Sequence, residues 1–504
     1  MILTQLPPEI IHHILGYVDP SDLAWIPRIC KNLYHAVTGN TTLFKQVYLR
    51  HLDTPREGHG VNWEQALKDV VRLQVILRSH NVDHKKSELQ FVHDTTTALL
   101  SSSATQSDRA QVSSTYRLSR NADLLASFFS RPANQSAFLC RSFIYERARG
   151  EFRPEQLLQS PPRREHQMSA HLHCLYGAPV LSASPGAYRQ TRRGDMRPFA
   201  CSKVYDLRQY TEKTKWGPFM DDDTGRVDWE KAEAIMIVLG ANLKLLGLGE
   251  YPLCKGFCQI PFAGTWPESY HPLPMERESV PKPLELQDPY GVTGTWLRVV
   301  CFLDYTDFYM YNFNSEDQPP PHVPRKALDV EEATRLILMQ ITVTKIEPPG
   351  PDDGQELPVV SFKGVSRSMD ESYDENANSD LRGHVRLTRE GEVRWTTFSV
   401  FGGMERWRSE SVQIGGVKSA KGVIGHWFDK DYDPRGPAGP TAFWKVSDRT
   451  TSTNRSFLHE FMPPMMELSD DDDDDDIFHF GESDEDDGEE HASDPPDHVE
   501  PDVD

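Results

Sequence analysis

Two clusters of metal-ligating residue types stand out: His171-Leu172-His173-Cys174, and Cys254 with Cys258 in CKGFC. Imidazole and thiolate are the donors of structural zinc sites, which take four of them in a tetrahedron. The first cluster is too tight for the usual two-by-two spacing, and about 80 residues separate it from the second. Buried or surface thiols are therefore the simpler reading. In FDKDYDP, Asp429, Asp431 and Asp433 alternate as calcium-loop ligands do, but the central glycine and terminal glutamate of an EF-hand are missing. Short Asp side chains closing turns account for that loop. No GxSxG elbow, HExxH helix or Walker-type phosphate loop occurs. Gly247-Leu248-Gly249 follows a helical stretch, so it reads as a helix stop. No catalytic set, metal or other cofactor is implied. What remains is recognition chemistry: Arg394-Trp395, Arg406-Trp407, Arg298 two residues after Trp296, and Trp427 just before Asp429 and Asp431. Guanidinium groups bind carboxylate or phosphate, and indoles supply contact area. Consecutive strand residues face opposite ways, so only one member of each Arg-Trp pair can point into a barrel.

These residues need a scaffold, and the bulk numbers bound it. A chain of 504 residues suggests about two to four domains. No run of 18 apolar residues spans a membrane, and MILTQLPPEI lacks the blocks of a signal peptide. Seven scattered cysteines point to reduced thiols inside the cell, in cytoplasm or nucleus. The net charge of −22 is concentrated: 20 acidic residues and no Lys or Arg lie between Glu467 and Asp504, leaving 54 basic against 56 acidic elsewhere. Nothing requires a nucleic-acid-binding face. The tail, unbroken from Asp470 to Asp476, is expected to be disordered. It reads as a solubilising segment, with a docking arm for a basic partner as the alternative. Ser469 and Ser483 precede acidic runs, a pattern acidophilic kinases favour.

The stretch from Leu6 to Asn40 reads as three short helices. Ile10, Ile11, Ile14, Leu15 and Val18 recur at helical spacing, Asp19-Pro20 restarts a helix, and Pro27 should end it before a third helix from about Arg28 to Val37. So small a block cannot enclose a core, and its apolar face should be completed by another surface. The order Leu6-Pro7, Glu9-Ile10, Ile14-Leu15, Asp19-Pro20, Asp22-Leu23, Ile29-Cys30-Lys31 closely resembles the F-box. That resemblance implies docking on a Skp-type adaptor, which links to a cullin and a RING subunit of an SCF ubiquitin ligase. The adaptor-binding residues would be Leu6, Pro7, Ile10, Ile14, Leu15, Val18, Leu23, Ile29 and Cys30.

Residues 51 to 165 read as a helical linker, with Asn62 as an N-cap and a Ser/Thr-rich loop from Thr95 to Ser114. SPPRREHQ, from Ser160 to Gln167, reads as a boundary. Beyond it VYDLRQY reads as a strand, and VDWEKAEAIMIVLGANLKLLG as a helix capped by Asp228. GTWLRVVCFLDYTDFYMYNF, TRLILMQITVTKIE, a hairpin turning near Arg389-Glu390-Gly391, RWRSESVQIGG, KGVIGHWF and PTAFWKV read as six or more antiparallel strands. That pattern argues for a barrel or curled sandwich, interrupted by an insert from Pro348 to Asp380.

Gly294-Thr295-Trp296, Arg406-Trp407 leading to Gly415-Gly416-Val417, and GHWFDKDYDPRGPAGPTAFW resemble the cyclin D-binding β-barrel of one F-box group. The resemblance covers roughly Gly291 to Ser447 and implies the substrate-binding part of the ligase. The expected fold class is α+β: a three-helix F-box (1–50), a helical linker (51–165), a domain at 166–448 with a mainly antiparallel β-barrel, and an acidic tail (449–504). The expected function is a non-catalytic substrate receptor with an unidentified protein substrate, neither nucleic acid nor membrane being a partner. Its barrel mouth would use Arg298, Arg394, Arg406, Trp395, Trp407, Trp427, Asp429 and Asp431. The alternative is a small-ligand barrel or cryptic enzyme whose F-box only regulates its own turnover.

Overall fold

Helix α1 (Pro8–Leu15) begins on two prolines, tolerated there because first-turn N–H groups have no intrahelical partner. It turns Ile11 and Leu15 inward and leaves Ile10 and Ile14 outside. Pro20 repeats this device at the start of α2 (Pro20–Leu23), which gives way to a 3-10 turn over Ile26–Arg28 containing Pro27. The third helix, α3 (Lys31–Val37), begins three residues later than its pattern suggested. Asn40 caps α4 (Thr41–His51) and Asn62 caps α5 (Trp63–Arg78), each accepting from the backbone N–H three residues on at 3.1 Å.

The computed structural model describes residues 6–55, 60–103, 118–150, 164–178, 180, 196–248, 252–271, 283–314, 319–320, 323–369 and 378–450. The tail beyond 450, including Ser469 and Ser483, lies outside them, as do parts of the Thr95–Ser114, Ser160–Gln167 and Pro348–Asp380 segments. All described residues belong to one unit, Met1–Phe461. Among them no helix is long and apolar enough to cross a membrane.

The helical layer continues through α6 (Val82–Ser87), α7 (Leu89–Ser101), α8 (Arg120–Phe129), α9 (Pro132–Asn134), a π-turn at Gln135–Leu139, α10 (Phe143–Arg149) and α11 (Arg164–Tyr176). It is tied to the N-terminal helices by buried Asp53. That carboxylate accepts from the Ser119 hydroxyl at 2.5 Å and the Arg120 N–H at 2.9 Å, while its own N–H donates to Asn121. After α12 (Arg197–Val204) comes α13 (Trp229–Leu245), capped by Asp228 as expected and buried on nearly every side. It packs on α11 and α12 on one side and on the barrel wall on the other. A helix so enclosed can carry polar residues only if they are paired. Glu230 accepts from the Phe143 N–H at 2.9 Å, and Lys231 donates to the Phe219 carbonyl at 3.2 Å. Short helices α14 (Pro252–Cys258) and α15 (Pro283–Gln287) lead to the sheet.

The sheet is a closed antiparallel barrel of eight strands in sequence order: β1 (Gly294–Leu303), β2 (Glu332–Glu347), β3 (Val359–Ser368), β4 (Ser379–Leu387), β5 (Val393–Phe401), β6 (Met404–Gln413), β7 (Val423–Asp429) and β8 (Ala438–Ser447), with β8 pairing back onto β1. Closure removes every free edge. One end of the lumen is filled by Trp296, Phe362, Trp395 and Phe443, ring to ring at 5.0–5.8 Å, with Val360, Val385, Leu387 and Val393 around them.

Three local expectations change. VYDLRQY is the end of α12 followed by a 3-10 turn at Leu207–Gln209, because Asp206 caps that turn through the Arg208 N–H. In GTWLRVVCFLDYTDFYMYNF the strand stops at Leu303, where Asp304 accepts from the Thr306 N–H at 2.8 Å and starts α16 (Tyr305–Phe313). The segment from Pro348 to Asp380 contains β3, so it is part of the barrel wall.

Candidate functional site

The N-terminal helices carry large apolar side chains that their own fold leaves in solvent. Ile10 is 47% exposed, Trp25 62% and Ile29 69%, and Tyr17 and Tyr34 are exposed as well. Arg50 lies 3.5 Å over the Tyr17 ring and Arg28 4.5 Å from that of Trp25, covering part of their faces with basic groups. Exposed apolar groups concentrated on so small a unit mark an interaction surface. Of the residues the sequence singled out, Pro7, Ile10, Ile14 and Ile29 are exposed. Leu6, Val18 and Cys30 are half-buried, and Leu15 and Leu23 are buried against their own chain. Tyr17, Trp25 and Tyr34 were missed, although Tyr17 extends the Ile10–Ile14 stripe by three residues.

In the barrel, β1 decides where Arg298 goes. Trp296 belongs to the lumen cluster, and Arg298, two residues on, shares its face. Arg298 is only 6% exposed, and its Nε donates to the Thr441 hydroxyl on β8 at 2.9 Å. Burial, with no carboxylate paired to it among the described residues, pushes its pKa down to about 10. Strand register places Ser366, Ser379, Thr397, Ser409 and Thr441 on the same face of the wall, where the opposite half of the lumen is apolar. Trp407 and Trp427, both half-buried, meet edge to face at 5.4 Å toward the same end. Trp427 lies over Gly439, where an added Cβ would sit 2.9 Å from its indole nitrogen, and donates to the Cys301 carbonyl at 3.0 Å.

The other sequence candidates are placed elsewhere. Trp395 is fully buried in the lumen core and donates to Gln413 at 3.1 Å, which turns Arg394 to the outer face. There Arg394 donates to Glu410 at 2.8 Å. Arg406 is exposed on the outer face, 5.0 Å from the Trp407 ring. Asp429 accepts from the Asp431 N–H at 2.9 Å, and Asp431 pairs with Lys430 at 2.7 Å. The structure thus brings Arg298, Trp407 and Trp427 toward one end of the lumen and separates them from Arg394, Trp395 and Arg406.

The His/Cys cluster is dispersed too. His171 stacks on Trp229 at 3.8 Å and hydrogen-bonds His93, whereas His173, fully buried, pairs with Glu233 at 2.6 Å. Cys174 and Cys254 are buried thiols whose pKa burial raises. Among the described residues no group of three or more His, Cys, Asp or Glu is placed to hold a metal ion.

Residues 3–50 match the family model described as F-box-like, so the chain carries an F-box-like domain at its N-terminal end. The closed eight-stranded barrel is the architecture that the likeness of the C-terminal half implies. No curated protein and no solved structure matches the chain.

Proposed function

We propose that this protein is a non-catalytic substrate receptor of an SCF-type ubiquitin ligase. The F-box-like helices bind a Skp-type adaptor, through it a cullin and a RING subunit, and the barrel binds a peptide segment of the protein to be ubiquitylated. The carrying observation is the row of exposed apolar side chains, Ile10, Ile14, Tyr17, Trp25, Ile29 and Tyr34, inside the matched domain. A surface of that kind marks a site where a partner docks.

In the barrel, the support is Arg298: a buried guanidinium with no carboxylate paired to it among the described residues, on the same lumen face as the half-buried Trp407–Trp427 pair, fits the acidic group of an extended peptide. The division into 1–50, 51–165, 166–448 and 449–504 belongs to the same proposal, as does a place of action inside the cell. The test is co-expression with a Skp-type adaptor and affinity capture of the full chain. Retention of the adaptor, lost on Ile10→Ala with Ile14→Ala, is expected; a wild-type chain that never retains it would sink the receptor reading.

A further inference from the structure

A second polar site lies outside the barrel wall, where residues 215–225 cross the β4–β5 hairpin. It is a cavity of about 250 Å³ into which Lys215, Arg386, Arg389 and Arg394 converge, with Phe219 and Thr388 in its wall. Asp223, Asp352 and Asp353 line it too, so the charge must be worked through pair by pair. Arg389 is matched by Asp352. Asp353 reaches Arg386 only through Nη1 at 3.3 Å while also accepting from the Gly350 N–H at 2.9 Å. Glu410, fully buried, is shared between Arg394 and Arg408. Against these three carboxylates stand four guanidinium groups, those of Arg386, Arg389, Arg394 and Arg408, and Lys215, which makes no ion pair among the described residues. Even with the exposed Asp223 counted, positive charge is in excess.

Two details show that an acceptor would be welcome. Arg386 and Arg394 stand directly opposite one another in the β4–β5 register, both turned outward by Val385 and Trp395, and like charges so placed destabilise a strand pair. The Arg386 Nε is buried with no hydrogen-bond partner among the described residues. The cavity falls just below the roughly 300–1,000 Å³ of small-molecule sites, a size that suits one side-chain head group. We propose that it binds a phosphate monoester: a phosphoserine or phosphothreonine side chain of a bound polypeptide. Such a group carries about −1.5 to −2 charge and three acceptor oxygens, enough to face Lys215, the Arg386 Nε and Arg394 together. The site is on the opposite face of the sheet from Arg298 and distinct from it. The inference rests on reading the barrel as the substrate-binding part.

The experiment uses the full chain with its co-expressed adaptor and a degenerate phosphoserine/phosphothreonine peptide pool, against the same pool after phosphatase treatment. Preferential retention of the phosphorylated pool, displaced by inorganic phosphate, is expected, with a loss of about tenfold in both Arg386→Gln and Lys215→Asn. Asn tolerates the positive φ at 215, and the Lys215 side chain makes no ion pair among the described residues, so that variant keeps its fold and an unchanged melting temperature. Equal retention of the two pools, or wild-type retention by both variants, overturns the proposal. So does binding of phosphoinositide vesicles without binding of phosphopeptides. Adaptor capture is scored in the same pull-down. Its loss removes the receptor reading, whereas capture without peptide preference removes only this site.

Discussion

The Tyr205 hydroxyl donates to the Glu332 carboxylate at 2.5 Å, joining the end of α12 to the first residue of β2. Glu332 is fully buried and also accepts from Arg197 at 3.1 Å and from Asn242 on α13 at 3.0 Å. Burial, and then the carboxylate, push the Tyr205 phenol well up, so it stays a donor at any working pH. One side chain thus fastens two helices to the barrel. Glu332→Leu removes the acceptor for a buried hydroxyl and should destabilise the protein by about 3 kcal/mol or more. Chemical denaturation compares the variants, with Tyr205→Phe expected to lose less.

At the N-terminal domain, exposure separates binding from folding. Ile10→Ala and Ile14→Ala should each weaken adaptor binding by about 2 kcal/mol, the scale of an interface anchor, and leave the melting temperature unchanged. Leu15→Ala and Leu23→Ala, both buried, should instead destabilise the domain by about 2–5 kcal/mol. Adaptor titration and thermal melts on all four variants test the contrast. Binding lost in step with stability throughout would refute it.

Arg298→Met should behave opposite to a core mutation. The guanidinium is desolvated, with Thr441 its hydrogen-bond partner among the described residues, so an apolar chain of similar length should leave stability equal or higher. Capture of a trapped substrate peptide should fall by about 1–3 kcal/mol. The two readouts are a melting curve and a binding isotherm, and undiminished capture would remove Arg298 from the site.

His426 makes the fold acid-sensitive. It is buried against the Tyr210 ring at 4.7 Å, and burial, with Lys231 nearby, pushes its pKa down to about 3 against the opposing pulls of Asp228 and of a hydrogen bond with the Trp216 backbone. A histidine depressed on folding stays neutral while the unfolded chain takes up its proton below about 6.5. Stability is therefore lost as pH falls from about 6.5 toward 3, by several kcal/mol in full. His384, pushed to about 4 by burial and by Arg386, acts in the same direction. His426→Phe should flatten the fall in melting temperature between pH 6.5 and 4; an unchanged slope would show that other groups dominate.

Much of this was legible in the residues because the signals are local. The proline and Asp starts of α1 and α2, the Asn62 and Asp228 caps and the alternation along β2 depend on neighbours a few positions away. The unsatisfied apolar stripe of residues 10–18 needed only the block's small size to imply a partner. Where local signals competed, tertiary context decided. VYDLRQY and YTDFYMYNF alternate like strands, yet Asp206 and Asp304 cap helical turns there. The facing of Arg298, Arg394 and Arg406 was beyond the sequence for a different reason. A period of two says that neighbours point opposite ways but not which way is inward. Register answers that: Trp395 opposite Val385 in the filled lumen sends Arg394 out beside Arg386, and Trp296 in the same cluster draws Arg298 in. The cavity between Lys215 and the β4–β5 hairpin joins residues some 170 positions apart, and only closure of the barrel beneath the crossing segment brings them within reach of one anion.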